Sequence, residues 1–185
     1  MNDRLRGWIL WIGATLAIAL VVHLVTLYAV PRLIMRRALA RMGAPNAMHF
    51  GRRPTAASRG VVRPSPDMLY AVCPFNLSKG SLRVTAAVPH STYWSVSAFD
   101  SATNNFFVRN DQQVAGDSLE ILLLRRGQTL PPLDNALQRV TVFAPSERGL
   151  ILFRTVIDDD RHVPELTDIL HQNRCETIEP GNATQ

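Results

Sequence analysis

Apolar and polar positions divide this chain into three unlike stretches. Residues 8–30, opening on Trp8 and ending on Val30, contain no Asp, Glu, Lys or Arg. A helix over this run is about 34 Å long, against a hydrocarbon core of about 30 Å, so one membrane-spanning helix is predicted. Trp8 and Trp11 at one end and Tyr28 at the other suit the two interfacial zones. A cleaved signal peptide would need an apolar core of about 7–15 residues close to a small-x-small site. Ala38-Leu39-Ala40 has that form but lies behind Arg32, Arg36 and Arg37, so a retained anchor is expected. His23 is the one ionisable group inside the run. It is a functional candidate by default; a neutral imidazole hydrogen-bonded to a neighbouring helix, or a group near the interface, is the plainer account.

Pro31 has no amide proton to give the helical ladder, which predicts a kink there. Beyond it Ile34, Met35, Ala38, Leu39 and Met42 recur at helical spacing, with Arg32, Arg36, Arg37 and Arg41 on other faces. The stretch reads either as lying in the interface with its arginines on lipid phosphates or as a helical stalk. The second region, from Gly43 towards Pro66, is rich in Gly, Pro, Ala, Ser and Arg without periodicity. It reads as a tether or an extended segment lying over a domain.

The third region alternates short β-like runs with turn residues, at 69–75, 82–88, 93–99, 105–109, 119–124, 139–143 and 150–157. Over 139–143 the alternation puts Val140, Val142 and Ala144 on one face. One helix is predicted over 164–174, with Pro164 in its first turn and a Leu166, Ile169, Leu170 stripe. The expected fold is mainly β: a single N-terminal transmembrane helix, then a small antiparallel β-sandwich or open barrel with a C-terminal helix. The expected organisation is an anchor and amphipathic stalk over 1–42, a tether over 43–62, a β-rich domain over 63–176 and a polar tail over 177–185.

Charge changes the picture less than the net +5 suggests. Six arginines and Asp3 fall within residues 1–41, and the remaining basic and acidic residues balance. A nucleic-acid binder concentrates positive charge on its folded domain. Here the charge flanks the apolar run, which points to a lipid bilayer and away from nucleic acid.

Candidate chemistry is sparse. None of the five histidines pairs with another at metal-ligand spacing, and neither Cys lies in a C-x-x-C, so no metal or cofactor is expected. Asp158-Asp159-Asp160 lacks the ligand spacing of a calcium loop and reads as a solvated lead into the helix. Asp100 and Asp111 serve as acid and base only if the fold joins them. Cys73 and Cys175, if bonded, close a loop of about 100 residues, which contributes roughly 4–5 kcal/mol in the chain-entropy model. Unbonded, they are two small core residues.

Four motifs stand in order: Arg63-Pro64-Ser65-Pro66-Asp67-Met68-Leu69-Tyr70, Asn76-Leu77-Ser78-Lys79-Gly80, Tyr93-Trp94-Ser95-Val96, and Phe99-Asp100 with Thr103-Asn104-Asn105-Phe106. In this order and spacing the chain resembles a bacterial family of unknown function, numbered 1254 among such domains, over roughly residues 60–160. It looks like a short form with a membrane helix in front. The longer members read Asn and Thr where Ser65 and Met68 stand, and they carry a second β-rich domain not found in this sequence. The resemblance implies a mostly β domain, frequently exported in Gram-negative bacteria, with the companion domain often encoded nearby. It implies no established activity.

Orientation draws conflicting signals. The arginines after the apolar run favour a cytoplasmic domain, whereas export and two well-separated cysteines favour the periplasm. The expectation is a single-pass protein of the bacterial inner membrane with a periplasmic domain. That domain is read as a non-catalytic interaction module for a companion β-rich membrane or periplasmic protein. Arg63, Asp67, Tyr70, Tyr93 and Trp94 are its candidate binding residues, and local pairing with core packing is the plainer account of them. The alternative is an enzyme acting on an envelope substrate through Asp67, Asp100, Asp111 or His90.

Overall fold

In a strand, successive side chains point to opposite faces, and alternation in this chain builds one core between two sheets. The computed structural model describes residues 3–55, 57–58, 64–128 and 139–178. A long helix, α1 (Asp3–Arg41), comes first, followed by a two-residue strand β1 (His49–Phe50). Then come β2 (Met68–Asn76), β3 (Ser81–Ala87), β4 (Trp94–Phe99), β5 (Asn105–Asn110) and β6 (Ser118–Arg125). After these follow β7 (Arg139–Ala144), β8 (Arg148–Val156), the helix α2 (Val163–His171) and β9 (Arg174–Ile178).

The first sheet runs β1-β2-β8-β4-β5, antiparallel throughout, and the second runs β7-β6-β3-β9. Leu69, Ala71, Phe75, Trp94, Val96, Ala98 and Phe153 of the first sheet belong to one buried cluster with Leu82, Val84, Leu119, Ile121, Leu123 and Val142 of the second. That is a sandwich with open sheet edges. β6 and β7 pair in parallel, so the sandwich is not wholly antiparallel as expected. Parallel neighbours cannot be joined by a two-residue hairpin and need a longer crossover. On the opposite face of β6, Leu122 and Leu124 are fully buried as well. Gly149 lies where β8 crosses the end of β4. A Cβ there would strike the Phe99 carbonyl oxygen and the Phe75 ring, so only glycine fits.

The seven expected strands appear within one or two residues of their expected bounds, and two more appear that were not expected. β9 takes residues 174–178, which the pattern assigned to the helix end and the polar tail. The cause is tertiary: β9 pairs with β3 from Ser81↔Ile178 to Thr85↔Arg174, and Cys175 is bonded to Cys73. α2 therefore ends at His171, whose carbonyl accepts the Arg174 guanidinium at 2.6 Å. The two cysteine Cα atoms are 6.5 Å apart, and the bond joins β2 of one sheet to β9 of the other across 102 residues.

The segment after Arg41 is held to the domain from its start. Asn46 adopts the left-handed conformation (φ 59°), which its short polar side chain tolerates. Its amide N–H donates to the Pro74 carbonyl at 2.7 Å and its Oδ1 accepts the Asn76 N–H at 2.7 Å. Its Nδ2 donates to the Asn76 carbonyl and to Thr177 Oγ1, both at 2.9 Å. β1 then pairs with β2 through His49↔Val72 and Phe50↔Ala71. Part of the region read as a tether is thus sheet; residues 59–62 lie outside the described set, as do 179–185 of the expected tail.

α1 runs through Pro31 as a single helix. Arg32, whose own amide follows the proline, folds its guanidinium back to donate to the Tyr28 carbonyl at 2.7 Å and to cover the Tyr28 ring at 3.6 Å. Met35 and Ala38 are buried, and α1 contacts β8 at this end. Met35 and Ala38 of the apolar stripe beyond Pro31 therefore pack on the chain's own domain, which neither sequence reading anticipated, while Ile34 stays exposed. The 18-residue window of highest hydropathy in α1 is long and apolar enough to cross a membrane and has no buried residue.

Replacing both cysteines by serine, or reducing the bond, is expected to lower the melting temperature by roughly 10–20 °C. Calorimetry of the oxidised and reduced protein measures it. A shift of only a degree or two would show that the sheets hold together without the bond.

Candidate functional site

Four neighbouring strands of the five-stranded sheet bring one polar row together on its outer face. In register, Tyr70 of β2 faces Arg154 of β8, Arg154 faces Ser95 of β4, and Ser95 faces Asn110 of β5. Their chain neighbours Leu69, Phe153 and Trp94 point into the core, which is why these four point out. Arg154 Nε and Ser95 Oγ are buried and make no hydrogen bond among the described residues, while Asn110 opens the turn at 111–113 in a capping box with Gln113. The Tyr70 hydroxyl accepts the Ser65 N–H at 3.0 Å and leans towards the Met68 sulfur at 3.6 Å. Side by side the row offers a cation, a hydroxyl and an amide. Those are groups for binding, with no carboxylate placed among them.

The residues singled out from sequence divide around this row. Tyr93 is 44% exposed and stands beside the end of β8, where its carbonyl accepts the Val156 N–H at 2.9 Å. Asp67 is exposed in the turn before β2, its amide bonded to Ser65 Oγ and its carbonyl to the Ile157 N–H. Tyr70, Tyr93 and Asp67 thus share one end of the sheet, the end far from α1. Trp94 goes inside at 1% exposure, with its backbone N–H donating to Asp111 at 3.2 Å. Arg63 lies outside the described residues. Arg154, Ser95 and Asn110 escaped the sequence reading, because a lone Arg, Ser or Asn in alternate strand positions carries no signal until the register aligns them.

The acidic candidates are not assembled. Asp100 follows β4 at one end, where its carboxylate accepts the Ala102 and Asn104 N–H groups and Asn104 Nδ2 at 2.8–2.9 Å to shape a turn. Asp111 holds the other end of β4, about 17 Å away by strand rise. His90 does meet a carboxylate, Asp117, at 2.8 Å, with both side chains largely in solvent. Asp158, Asp159 and Asp160 each have their own partner: the His162 ring at 3.1 Å, Arg161 at 2.6 Å and Arg53 at 2.8 Å. The hydrogen bond from His162 holds the Asp158 carboxyl below its usual range. The Arg161 fork lowers Asp159 in the same way and raises its own pKa. These pairs cap the lead into α2.

The opposite sheet carries a buried carboxylate. Glu120, 8% exposed, receives Arg139 Nε at 3.0 Å and Nη2 at 3.4 Å from β7, with Arg83 Nε of β3 at 3.6 Å. Two cations on flanking strands offset the desolvation of one acid, which leaves it a structural clamp across β7-β6-β3.

The fold and this surface define a two-sheet β-domain, with a polar row on its outer face, carried on a long apolar helix. The chain belongs to the family described as protein of unknown function (DUF1254), whose model matches residues 45–177. The match opens at the Asn46 clip and closes within β9, so it spans the sandwich and leaves α1 outside. No curated protein matches the chain. Among solved structures it is similar to the VPA0106 protein from Vibrio parahaemolyticus, with a TM-score of 0.63 at 10% identity over 86% of this chain and 39% of that one. An uncharacterised protein from Burkholderia cenocepacia has a TM-score of 0.47 at 16% identity, over 82% of this chain and 41% of its own. The first likeness establishes the fold. The chain spans about two fifths of each of these proteins.

Removing one partner from a buried ion pair leaves the other charge uncompensated. Glu120→Ala is accordingly expected to cost about 3 kcal/mol, read as a lower urea midpoint with an unchanged slope. An unmoved midpoint would mean that the arginines find solvent at no cost.

Proposed function

We infer that this chain is a single-pass membrane protein whose β-sandwich faces the periplasm and binds a partner there without catalysing a reaction. The observation that carries the first half is the bare flank of α1: Leu10, Trp11 and Trp8 are 73%, 75% and 69% exposed, and the apolar surface continues past Tyr28. Left in water, such a surface would cost on the order of tens of kcal/mol, and a bilayer removes that cost. The Cys73–Cys175 bond supports an oxidising compartment, against the arginines that follow the span.

The binding half rests on the polar row and its rim. Donors and acceptors converge on the outer face near Tyr70 and Arg154, Tyr93 stands exposed beside them, and Val108 on the edge strand β5 is 47% exposed. An open edge with an adjacent side-chain surface suits a β-rich protein that adds a strand or covers the face. A second β-rich membrane or periplasmic protein is the partner proposed. The dispersal of Asp67, Asp100 and Asp111 weighs against acid–base chemistry.

Two measurements check this reading. In intact cells, an inner-membrane-impermeant maleimide should label a cysteine introduced at the exposed Phe143 (Phe143→Cys) without lysis; labelling seen only after lysis would move the domain to the cytoplasm. A photocrosslinker at position 93 should trap one discrete envelope protein, whereas one at position 143 on the other sheet should not. Equal products from both positions would end the claim for this face.

A further inference from the structure

The docking of α1 on its own domain fixes a height above the bilayer. Val30 closes the apolar run, so along the axis Arg32 stands about 3 Å and Arg36 about 9 Å beyond it. The headgroup zone on each side of a bilayer is about 5–8 Å deep. The sandwich grips α1 at Met35 and Ala38, within a turn of that zone. The end of the sandwich next to α1 therefore rests on the lipid surface, without an intervening stalk.

At this level lies a cleft of about 700 Å³ between α1 and the turns at 100–101 and 146–148. Met35, Leu39 and Arg36 form one wall, and Ser101, Ser146 and Arg148 form the other. The far wall is locked: Ser146 Oγ accepts the Ser101 N–H at 2.9 Å and donates to the Arg148 carbonyl at 2.7 Å. Glu147, the one acid lining the cleft, is engaged by Arg125 at 3.1 Å. Arg32 is engaged with Tyr28. Among the described residues no carboxylate pairs with Arg36 or Arg148. Two unneutralised guanidinium groups thus share one cleft with apolar Met35, Leu39 and Ala40 and with Ser101 and Ser146, at the outer edge of the headgroup zone, from which their long stems can reach down to the lipid phosphates.

Resting on the single-pass reading, we propose that this cleft seats one acidic phospholipid. Arg36 and Arg148 take its phosphate, and Met35 and Leu39 pack on the glycerol and first acyl carbons. Guanidinium groups match phosphate oxygens in pairs, and their long stems reach down along apolar surface to do so. Arg37 and Arg41 sit away from the cleft lining and supply only general attraction to an anionic surface.

The test uses the full-length chain in detergent, titrated with phosphatidylglycerol or phosphatidylcholine and read by native mass spectrometry. Wild type and an Arg37→Gln/Arg41→Gln variant should each retain one phosphatidylglycerol with the same affinity. Arg36→Gln/Arg148→Gln should bind about thirtyfold more weakly, at about 1 kcal/mol for each cation near a lipid surface, with its melting temperature unchanged. Arg36→Gln alone, on an exposed helix position, should lose about fivefold. Equal weakening in both double variants, no preference for phosphatidylglycerol, or displacement by millimolar inorganic phosphate would each overturn the seat. Resistance to carbonate extraction from vesicles is measured beside it. A chain that carbonate removes would sink the single-pass reading, whereas an inserted chain without lipid preference sinks the seat alone.

Discussion

The bond between Cys73 and Cys175 encloses everything from the second strand to the last. It also crosses the core, from the inner face of β2 to the inner face of β9, so the two sheets are held at a fixed spacing at one edge of the sandwich. A strand as short as β9 has few backbone bonds of its own and lies at the margin of its sheet. Left to local preference, residues 172–178 would extend α2 or fray. The covalent link and the pairing with β3 together make them strand, and β9 in turn offers Thr177 to Asn46. The exit from α1 is tied to both sheets by the same residue.

That chain of dependence explains how a helix with no buried residue in its most apolar window can still be oriented relative to a β-domain. Two contacts act together: Met35 and Ala38 bury against the sandwich, and Asn46 hydrogen-bonds to the end of β2. Between them run only the last turn of α1 and a few residues including Gly43, which adopts a positive φ to make the turn. So short a connection leaves little freedom for the domain to swing away from the helix. One end of the sandwich carries the arginine cleft and the opposite end carries Tyr70, Arg154 and Tyr93, and this geometry keeps the two surfaces apart. If the helix spans a bilayer, the first meets lipid and the second faces away from it.

The two polar arrangements on the sheets differ in kind. Glu120 is enclosed by Arg139 and Arg83 and has its charge answered within the fold. Arg154 has no such answer: its Nε is buried beside Ser95 and Asn110 without a hydrogen bond among the described residues. A satisfied buried charge stabilises a fold, whereas an unsatisfied polar row persists only at a cost to stability.

Alternation in the sequence was enough to place seven strands, the short final helix and the core side of most of them, because burial on one face forces a period of two whatever the topology. Composition alone marked the apolar run of α1 as long and apolar enough to cross a membrane. The four motifs led to the family before any coordinates. Pairing is a different matter. Nothing local distinguishes the parallel β6–β7 pair from an antiparallel one, or marks residues 174–178 as strand. Nor does it mark His49 and Phe50 as an edge strand, because those outcomes depend on partners far along the chain. The same holds for the site. Tyr70 and Tyr93 stood out as aromatics, but Trp94 turned inward by parity, and Arg154, Ser95 and Asn110 became neighbours only through strand register. Helix periodicity showed that Met35, Ala38 and Leu39 share a face; only the folded domain decided that the face belongs to protein, because its burial depends on where β8 begins.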